Sequence, residues 1–377
     1  MPLASPPEVA APVRYRLASG ETLTALTQPT ALPVAWDALC GASPFLQRSW
    51  LSVFARAGGP DTRYLLFGDV GTPRAITLLQ ALPTRAMKLG ARLRPGIAST
   101  MFGERLYQFG QVLFSGPGGH AAQRPTELQD LLAEAAAALT RELPSSTWMI
   151  KDVPGATAPT GWLEVAALPE MVLTLRASWT SYADYLADLP SKYRRRARRA
   201  RRLFGHLRRR VLTNDEVERH GARIDALYAG LLARALYVPY RVPPGYFERL
   251  KAARPTDVDV LGYFDGDELI GFATLLRDAT RSIAHYAAID PAYNPTHQLY
   301  LNLLLDLLEL AIEHGCATLN YGRTATTIKS SVGAEPVVQY AFTRHDGCIR
   351  HQLLAQARDR IVSEEAEALI QRPLRTE

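Results

Sequence analysis

Lys329 lies between Gly322 and Gly333 in a segment, residues 321–336, that follows a long apolar helix pattern and a short strand pattern. It is one of five lysines, whereas the other 38 cationic side chains are arginines. A position that needed only positive surface charge could have used arginine, while an ammonium is a compact and titratable cation. The pattern therefore indicates a chemical role for Lys329, with a solvated lysine in a turn as the alternative.

A second unusual feature is the segment of residues 192–210, which contains eleven lysines and arginines and no acid. The rest of the chain holds 32 cationic and 37 acidic residues, so the excess of positive charge is local. Like charges repel, and a solvated surface normally mixes both signs. The segment therefore favours an anionic partner, for which tRNA, a nucleotide-sugar diphosphate and an anionic membrane surface all qualify.

The apolar residues of this basic segment recur at helical spacing, which predicts a helix that docks through a narrow stripe and turns its cations outwards. The stripe consists of Tyr193, Ala197, Ala200 and Phe204. The residues expected to contact phosphate or nucleic acid are Lys192, Arg195, Arg198, Arg199 and Arg202.

Length and composition limit the class of protein. The 377 residues are enough for two ordinary domains, and 47% apolar with 21% charged residues is typical of a globular chain. Three scattered cysteines fit neither a disulfide framework nor a metal knuckle, which predicts a reducing cytoplasm and no metal. The sequence has no run of about 18 uncharged apolar residues, which argues against a membrane span. The N-terminus does not have the pattern of a signal peptide.

The two halves of the chain have a similar order of predicted elements. The proline- and glycine-rich residues 151–162 are the expected boundary between them. In the second half a hairpin turn at 265–267, a strand at 282–289, a helix starting at Asn294 and a strand at 317–321 follow one another. In the first half the same order is predicted for a hairpin at 68–72, a strand at 106–114, a helix from Thr126 and a strand at 146–150.

We therefore predict an α+β protein made of tandem copies of one domain. Residues 1–13 would be a disordered arm, residues 14–160 the first domain and residues 161–345 the second domain. The second domain would include a basic helix at 191–210. Residues 346–377 would form a C-terminal helix and tail, for which packing back on the first domain is left open.

The order of strand, turn, long helix and strand resembles the central unit of the GNAT acyltransferase fold. The sequence DPAYNPTHQL at 290–299, with AIEHG at 311–315, looks like the segment with which GNAT enzymes hold the pyrophosphate of coenzyme A. The usual arginine–glycine–x–glycine turn is absent, and residues 294–298 contain no glycine. Close approach of a backbone to phosphate usually needs glycine. We therefore expect weak coenzyme A binding at Asn294.

Three features resemble one branch of that superfamily, the Fem-type tandem-GNAT transferases. LPSKYRRRARRA at 189–200 resembles their basic helix, Gly322-Arg323 followed by Lys329 resembles their C-terminal lysine motif, and SPFL at 43–46 with Trp50 fits their opening helix. The resemblance spans about residues 44–336. It implies two GNAT-like domains, each with a mixed, mostly antiparallel central sheet flanked by helices. Characterised Fem-type enzymes transfer an aminoacyl group from aminoacyl-tRNA to an amine of a peptidoglycan precursor, and some relatives use acyl-CoA.

This resemblance implies roles for the residues around Lys329. An amine that attacks an ester or thioester passes through an oxyanion, whose stabilisation is usually the largest catalytic contribution. Protonated Lys329 could supply it, or could protonate the leaving oxygen. Arg323 could pair with a phosphate or carboxylate, Gly322 would let the backbone bend around a substrate, and Tyr321 could relay a proton or belong to the core.

Further candidates lie on the strand that faces the acyl donor in GNAT folds. His285 is a candidate base for the amine, with a hydrogen-bonded structural histidine as the alternative. Alternation along the strand would put His285 and Tyr286 on opposite faces, one of them towards the substrate. Tyr240, in the aromatic and proline-rich residues 236–247, could wall an acceptor pocket or simply pack.

The sequence therefore predicts an N-acyltransferase that joins an activated acyl or aminoacyl group to an amine. No cofactor would be tightly bound, and the donor would be aminoacyl-tRNA or acyl-CoA. One alternative is an acyl-CoA-dependent enzyme acting on a sugar, lipid or metabolite amine. The other is a non-enzymatic protein that binds RNA or a membrane on a degenerate GNAT scaffold. A bacterial, cytoplasmic protein is expected, with peripheral membrane contact left open.

Overall fold

The computed structural model describes residues 11–41, 43–89, 103–116, 118–143, 146–153, 155, 157–165, 167–235, 237–278, 280–361 and 370–374. The chain divides into two compact units. The first unit comprises Met1–Val112, Gly116–Ala166 and Gln339–Ile361. The second unit comprises Leu113–Ser115, Ala167–Val338 and Val362–Glu377.

The described residues alternate between strands and helices along most of the chain. The strands are β1 (Val13–Arg16), β2 (Thr22–Leu26), β3 (Thr62–Gly68), β4 (Pro73–Pro83), β5 (Lys88–Leu89), β6 (Arg105–Phe109), β7 (His120–Ala122), β8 (Thr147–Val153), β9 (Leu163–Val165), β10 (Glu170–Thr174), β11 (Arg208–Val211), β12 (Tyr237–Val238), β13 (Val258–Asp265), β14 (Glu268–Arg277), β15 (Arg281–Ile289), β16 (Thr318–Asn320), β17 (Glu335–Val337) and β18 (Tyr340–His345). The helices are α1 (Val34–Cys40), α2 (Arg48–Ala57), α3 (Leu128–Leu139), α4 (Tyr182–Asp188), α5 (Ser191–Phe204), α6 (Asn214–Arg219), α7 (Gly221–Arg234), α8 (Tyr246–Ala253), α9 (Asn294–His297), α10 (Leu299–Glu313), α11 (Thr326–Ser330) and α12 (Cys348–Ile361). Among these described helices, none has the length and apolar composition that a membrane span requires.

Both units contain the same central arrangement, which confirms the predicted tandem α+β fold. In the first unit the hairpin β3–β4 pairs with β6, helix α3 crosses over, and β8 returns parallel to β6. In the second unit the hairpin β13–β14 pairs with β15, helix α10 crosses over, and β16 returns parallel to β15. The other pairings in both sheets are antiparallel, so each sheet is mixed and mostly antiparallel.

The first unit also contains a strand from near the end of the chain. Strand β18 pairs with β8 on one side and β9 on the other, and its Phe342 is fully buried in the core of this unit. The expected boundaries place these residues in the second domain or the tail, whereas residues 339–361, with helix α12, belong to the first unit. Residues 1–10 of the expected arm lie outside the described residues.

The core of the second unit is built around helix α10. Its leucines pack into one cluster with Leu261, Tyr263 and Leu275 of the central sheet. The same helix carries Asn302 and Asp306, whose side chains are fully buried and polar. A helix buried this completely needs partners for such groups, because an unpaired buried charge is costly.

The basic segment folds differently from the single helix predicted at 191–210. Helix α5 ends at Phe204, and Gly205 follows with φ +64°, a left-handed conformation that glycine adopts without strain. Residues 208–211 then form β11, an edge strand paired with β13. Cationic side chains on an edge strand discourage pairing with another sheet, which fits this position.

The predicted helix from Asn294 is also interrupted. Helix α9 ends at His297, and Gln298 takes a left-handed conformation with φ +47° before α10 begins. The Asn294 side chain accepts a hydrogen bond from the backbone N–H of Tyr300 across this break, at 3.0 Å. Asn294 thus caps the long helix from a short helix of its own.

Candidate active site and basic surface

Strand register brings polar side chains of the second unit to one level of its sheet. Ile283 of β15 lies beside Asn320 of β16, which lies beside Val172 of β10. Side chains two residues apart on a strand share a face. His285 and Glu170 therefore lie one step further along, on the same face as Asn320. Because β15 pairs with β16 only through residues 281–283, the two strands separate at this level.

Glu170, Asn320 and Arg323 form a polar cluster where β16 ends. Glu170 is only 2% exposed, and its Oε2 accepts a hydrogen bond from Nδ2 of Asn320 at 3.0 Å. Nη2 of Arg323 lies 3.7 Å from Oε1 of Glu170. The other end of the Asn320 amide accepts from the backbone N–H of Gly322 at 2.7 Å. The cluster thus ties the start of β10 to the turn that follows β16.

Lys329 belongs to helix α11 rather than to a loop, and it is 4% exposed. Its Nζ donates to the carbonyl oxygens of Gly322, at 3.3 Å, and Arg323, at 2.5 Å. The ammonium is therefore buried beneath its own turn, and the alternative of a solvated surface lysine does not hold. Stabilisation of an oxyanion by Lys329 stays a prediction.

The turn held by Lys329 has an unusual backbone. Gly322, Thr324 and Ala325 have φ values of +71°, +64° and +49°. Left-handed backbone is unfavourable for residues other than glycine and costs on the order of 1–3 kcal/mol where the structure enforces it. The carbonyl groups bound by the ammonium immediately precede the two strained residues. Lys329 therefore stabilises the conformation of this turn.

Tyr321 points to the opposite side of the sheet. Its hydroxyl donates to the carbonyl oxygen of Leu304 in helix α10 at 2.9 Å, and its ring is part of the core. Burial raises its pKa well above the ordinary value. This position favours the core tyrosine that the sequence left as the alternative to a proton relay.

His285 is buried next to an aromatic helix. Its Nε2 lies 2.9 Å from the hydroxyl of Tyr246, and its ring contacts Phe114, with 6.2 Å between ring centroids. Burial lowers the pKa of His285 to about 3. A histidine with this pKa is neutral near pH 7 and is a weak base, so this geometry favours the structural role for His285.

The side chains of Tyr286 and His285 do not lie on opposite faces of the sheet, because β15 has a bulge at these residues. Two residues, His285 and Tyr286, oppose the single residue Thr274 of β14, whose hydroxyl bonds both the N–H and the carbonyl of Tyr286. Their ring centroids are 4.5 Å apart, which side chains on opposite faces could not reach. A β-bulge redirects a side chain in this way. Both rings contact helix α8, His285 at Tyr246 and Tyr286 at Phe247.

Tyr240 lies near the same aromatic group. It is partly buried, and burial followed by the neighbouring Tyr228 raises its pKa. Tyr228 itself contacts the rings of Phe247 and Tyr286. The structure thus brings Tyr240, Tyr286 and His285 into one aromatic region, while Asn294 lies apart from it in the turn before α10.

In the turn that would hold the pyrophosphate of coenzyme A, polar groups are already bonded within the protein, and we call this turn closed. Nδ1 of His297 lies 2.9 Å from the carbonyl oxygen of Leu203 in helix α5. The N–H of Tyr300, in the first turn of α10, is taken by Asn294. A helix N-terminus binds phosphate through such N–H groups when they are available.

Helix α5 presents an exposed row of cations. Ala197 and Ala200 are its buried residues, as the apolar stripe predicts. Within the described part of the chain, these exposed cations form no ion pair with an acid. We call them the basic ridge, which consists of Lys192, Arg195, Arg196, Arg198, Arg199 and Arg202.

Four of the five remaining arginines of the basic segment have acidic partners, whereas Arg194 donates to the carbonyl oxygen of Ala187. Arg201 forms an ion pair with Asp306 and a second with Glu309, at 3.2 Å. Arg209 contacts the same two acids, and the Tyr263 hydroxyl donates to Asp306 at 2.9 Å. Asp306 is fully buried, and burial raises its pKa while the two arginines oppose that rise. This network anchors α5 on α10 and leaves the ridge exposed.

Reasoning from the sequence missed Glu170 and Asn320 as members of the candidate site. Both stand at strand ends next to Gly322, but Glu170 lies 150 residues earlier in the chain than Asn320. Only the pairing of β10 with β16 brings them together. The sequence signal was a glutamate at the start of a short apolar strand. A strand of this kind is usually buried, and a charged residue that it carries into the interior must be paired.

Comparison with known protein families gives a match within the second unit. Residues 191–330 match the family model of the acetyltransferase (GNAT) domain. No curated protein sequence matches the chain significantly. Among solved structures, FemX is similar with 12% identity, a TM-score of 0.52, and coverage of 85% of this chain and 97% of that chain. A tandem GNAT protein from the clavulanic acid biosynthesis pathway is similar with 13% identity, a TM-score of 0.50, and coverage of 87% and 99%.

These similarities agree with the geometry of the two units. Identities of 12–13% show the fold alone, and the match of the GNAT domain model falls on the unit that contains α5, α10 and Lys329. The chain therefore has a fold similar to that of tandem GNAT proteins, and residues 191–330 match the model of the GNAT acetyltransferase domain.

Proposed function

We propose that the chain is an N-acyltransferase that moves an activated aminoacyl group from aminoacyl-tRNA to an amine. The general activity rests on the GNAT acetyltransferase domain. The choice of donor rests on the basic ridge, which is the observation that carries the proposal. The acceptor would bind where β15 and β16 separate.

The ridge suits a donor with many phosphates. Lys192 and Arg202 are ten residues apart on α5, which corresponds to about 15 Å at 1.5 Å per residue. Each phosphate contact releases counterions, so a polyanion gains from the whole row. The exposed side of α5 carries no large apolar residue among those described, and a helix that lies in a membrane surface needs an apolar face. These features favour a nucleic acid over a membrane.

The closed turn at 294–298 makes acyl-CoA the second choice of donor. A pyrophosphate at the start of α10 would have to displace the Asn294 cap. For the chemistry, we propose that Lys329 places positive charge beneath the Gly322 turn, where the oxyanion would develop. Arg323 and Asn320 would fix the orientation of the substrate at this turn.

Transfer to hydroxylamine tests the proposal without knowledge of the natural acceptor. The full chain is incubated with radiolabelled aminoacyl-tRNA, or with acetyl-CoA, and the hydroxamate formed is compared with a protein-free control. We expect hydroxamate above the control from aminoacyl-tRNA but not from acetyl-CoA. The reverse result would assign the acyl-CoA alternative. Salt-sensitive tRNA binding without transfer from either donor would favour the non-enzymatic alternative.

A further inference from the structure

We propose that Glu170 is the group that binds the ammonium of the acceptor and takes its proton. This inference rests on the proposed function, since it assigns a residue to the reaction stated there. Its basis is geometric. Glu170 lies on the same face and at the same level as His285, on the other side of Gly322.

A separate base is needed because the expected one is unsuitable. A primary amine is protonated at neutral pH and cannot attack until it loses a proton. His285 is engaged with Tyr246 at 2.9 Å, and burial lowers its pKa to about 3. Tyr321 faces the core and donates to Leu304. Neither residue is placed to accept a proton at the separated strands.

The surroundings of Glu170 suit a carboxylate that receives a cation. Its side chain is buried at the start of β10, where the low dielectric strengthens its attraction to an ammonium. Asn320 donates to Oε2, which fixes the orientation of the carboxylate. Arg323 forms an ion pair with Glu170, with 3.7 Å between Nη2 and Oε1, and places a positive charge beside the carboxylate.

The segment Leu113–Ser115, part of the second unit, lies against this face of the sheet. Phe114 contacts His285, and the Ser115 carbonyl lies 3.5 Å from Nδ2 of Asn320. The Phe114 ring thus borders His285, and the Ser115 carbonyl borders Asn320. An acceptor at this level would meet an apolar wall at His285 and a charged wall at Glu170.

The proposed step balances in atoms and charge. The ammonium transfers one proton to the Glu170 carboxylate, and the neutral amine attacks the acyl carbonyl carbon. The new C–N bond forms as the carbonyl oxygen becomes an oxyanion. Collapse breaks the bond to the leaving oxygen, which takes the second proton of the amine. The product is an amide and a free hydroxyl, and Glu170 releases its proton to solvent.

The experiment compares two acceptors in Glu170→Gln, which keeps an oxygen able to accept from Asn320. With aminoacyl-tRNA as donor, cadaverine represents a protonated amine, whereas hydroxylamine is largely unprotonated at neutral pH. We expect kcat/KM for cadaverine to fall by about 10²-fold or more, the scale of a lost general base. Transfer to hydroxylamine should change by less than about fivefold. Glu170→Asp should restore part of the cadaverine activity.

Asp259→Asn provides the matched control, because Asp259 is a buried carboxylate paired with Arg277 on the opposite face of the same sheet. It should lower stability without separating the two acceptors. Equal losses for both acceptors in Glu170→Gln would reduce Glu170 to a structural role. Unchanged cadaverine transfer would overturn the inference while leaving the transferase activity in place. Absence of transfer by the wild-type chain would instead reject the proposed function.

Discussion

At the scale of single residues, two buried lysines perform the same structural task in different places. Lys329 donates to the carbonyl oxygens of Gly322 and Arg323. Lys251, in α8, is 6% exposed and donates to the carbonyl oxygens of Pro255 and Val258 at 2.8 and 2.7 Å. Burial lowers the pKa of Lys251. Comparing substitutions of Lys329 and Lys251 therefore distinguishes the structural role of a buried ammonium from a chemical one.

Lys329→Met should reduce both stability and transfer. The change removes the ammonium from the carbonyl oxygens of Arg323 and Gly322 at a strained turn, although the carbonyl of Gly322 keeps a hydrogen bond from the N–H of Met171. We therefore expect the free energy of unfolding to fall by about 1–3 kcal/mol. Transfer to hydroxylamine should fall by about 10²-fold or more if the charge also stabilises the oxyanion. Lys329→Arg should rescue poorly, because a planar guanidinium cannot occupy the position of a point ammonium. Urea denaturation and the hydroxamate assay provide the two measurements.

Lys251→Met is the control for that change. It removes a comparable pair of bonds to carbonyl oxygens, far along the chain from the Gly322 turn. We expect a similar loss of stability with transfer reduced by less than about threefold at a temperature where both variants are folded. If Lys329→Met lost no more activity than Lys251→Met, Lys329 would be a structural residue only.

At the scale of elements, helix α5 divides its charges between two tasks. Arg201 and the nearby Arg209 face Asp306 and Glu309 of α10, whereas the basic ridge faces outwards. Paired charges contribute to the position of the helix, and exposed unpaired ones contribute to binding. The two tasks can be tested separately, because no residue of the ridge shares an acid with the anchoring network among the described residues.

Replacing Arg195, Arg198, Arg199 and Arg202 together with glutamine should weaken tRNA binding. Each lost phosphate contact should reduce the slope of log K against log salt by about one unit, so a fall of up to about four is expected. Thermal stability should change little, because these side chains are exposed. Fluorescence anisotropy with tRNA at several salt concentrations measures the slope.

Arg201→Gln is the matched control in the same helix. It leaves Asp306 buried with one fewer partner, so it should destabilise the fold, by roughly 3 kcal/mol, and leave the salt slope within about one unit. An unchanged slope in the fourfold variant would mean that the ridge is only a solvated surface.

The turn before α10 makes a prediction about the donor. Because Asn294 occupies the N–H of Tyr300 and residues 294–298 contain no glycine, we expect acetyl-CoA to bind no more tightly than about −6 kcal/mol. Calorimetric titration of the full chain measures this. Low-micromolar affinity would instead support the acyl-CoA alternative.

At the scale of the whole molecule, each unit encloses a histidine that burial keeps neutral. The pKa of His120 in the first unit is lowered to about 4 and that of His285 in the second to about 3. An exposed histidine has a pKa of about 6.5. Below that value the unfolded chain binds protons that the native chain does not, so stability is fully present above about pH 6.5 and falls with pH.

Acidification should therefore destabilise the protein before most carboxylates titrate. From pH 7 to pH 5 we expect each of these histidines to lower the free energy of unfolding by about 2 kcal/mol. His285→Gln, which keeps a partner for Tyr246, should reduce the loss of unfolding free energy between pH 7 and pH 5 by about 2 kcal/mol. Urea denaturation of both proteins at the two pH values measures the difference. An identical pH dependence would show that His285 is protonated in the native state.

The sequence by itself determined the order of the elements and the position of the unusual charges. Alternation of apolar residues predicts strands, and helical spacing predicts the docking stripe of α5, since both depend on neighbours within one element. These predictions hold for the hairpin β13–β14, for β15 and for the buried Ala197 and Ala200. The tandem α+β architecture follows from the repeated order.

Tertiary structure decided which residues meet. Glu170 joins Asn320 only through the pairing of β10 with β16, and β18 joins the first unit only through its pairing with β8 and β9. Lys251 and Lys329 are buried because the folded chain turns carbonyl groups four to seven residues away towards their ammonium groups. The strand pairings depend on segments distant in sequence, and in all these cases the cost of burying an unpaired charge selects among the possible contacts. Local patterns carry no information about that cost.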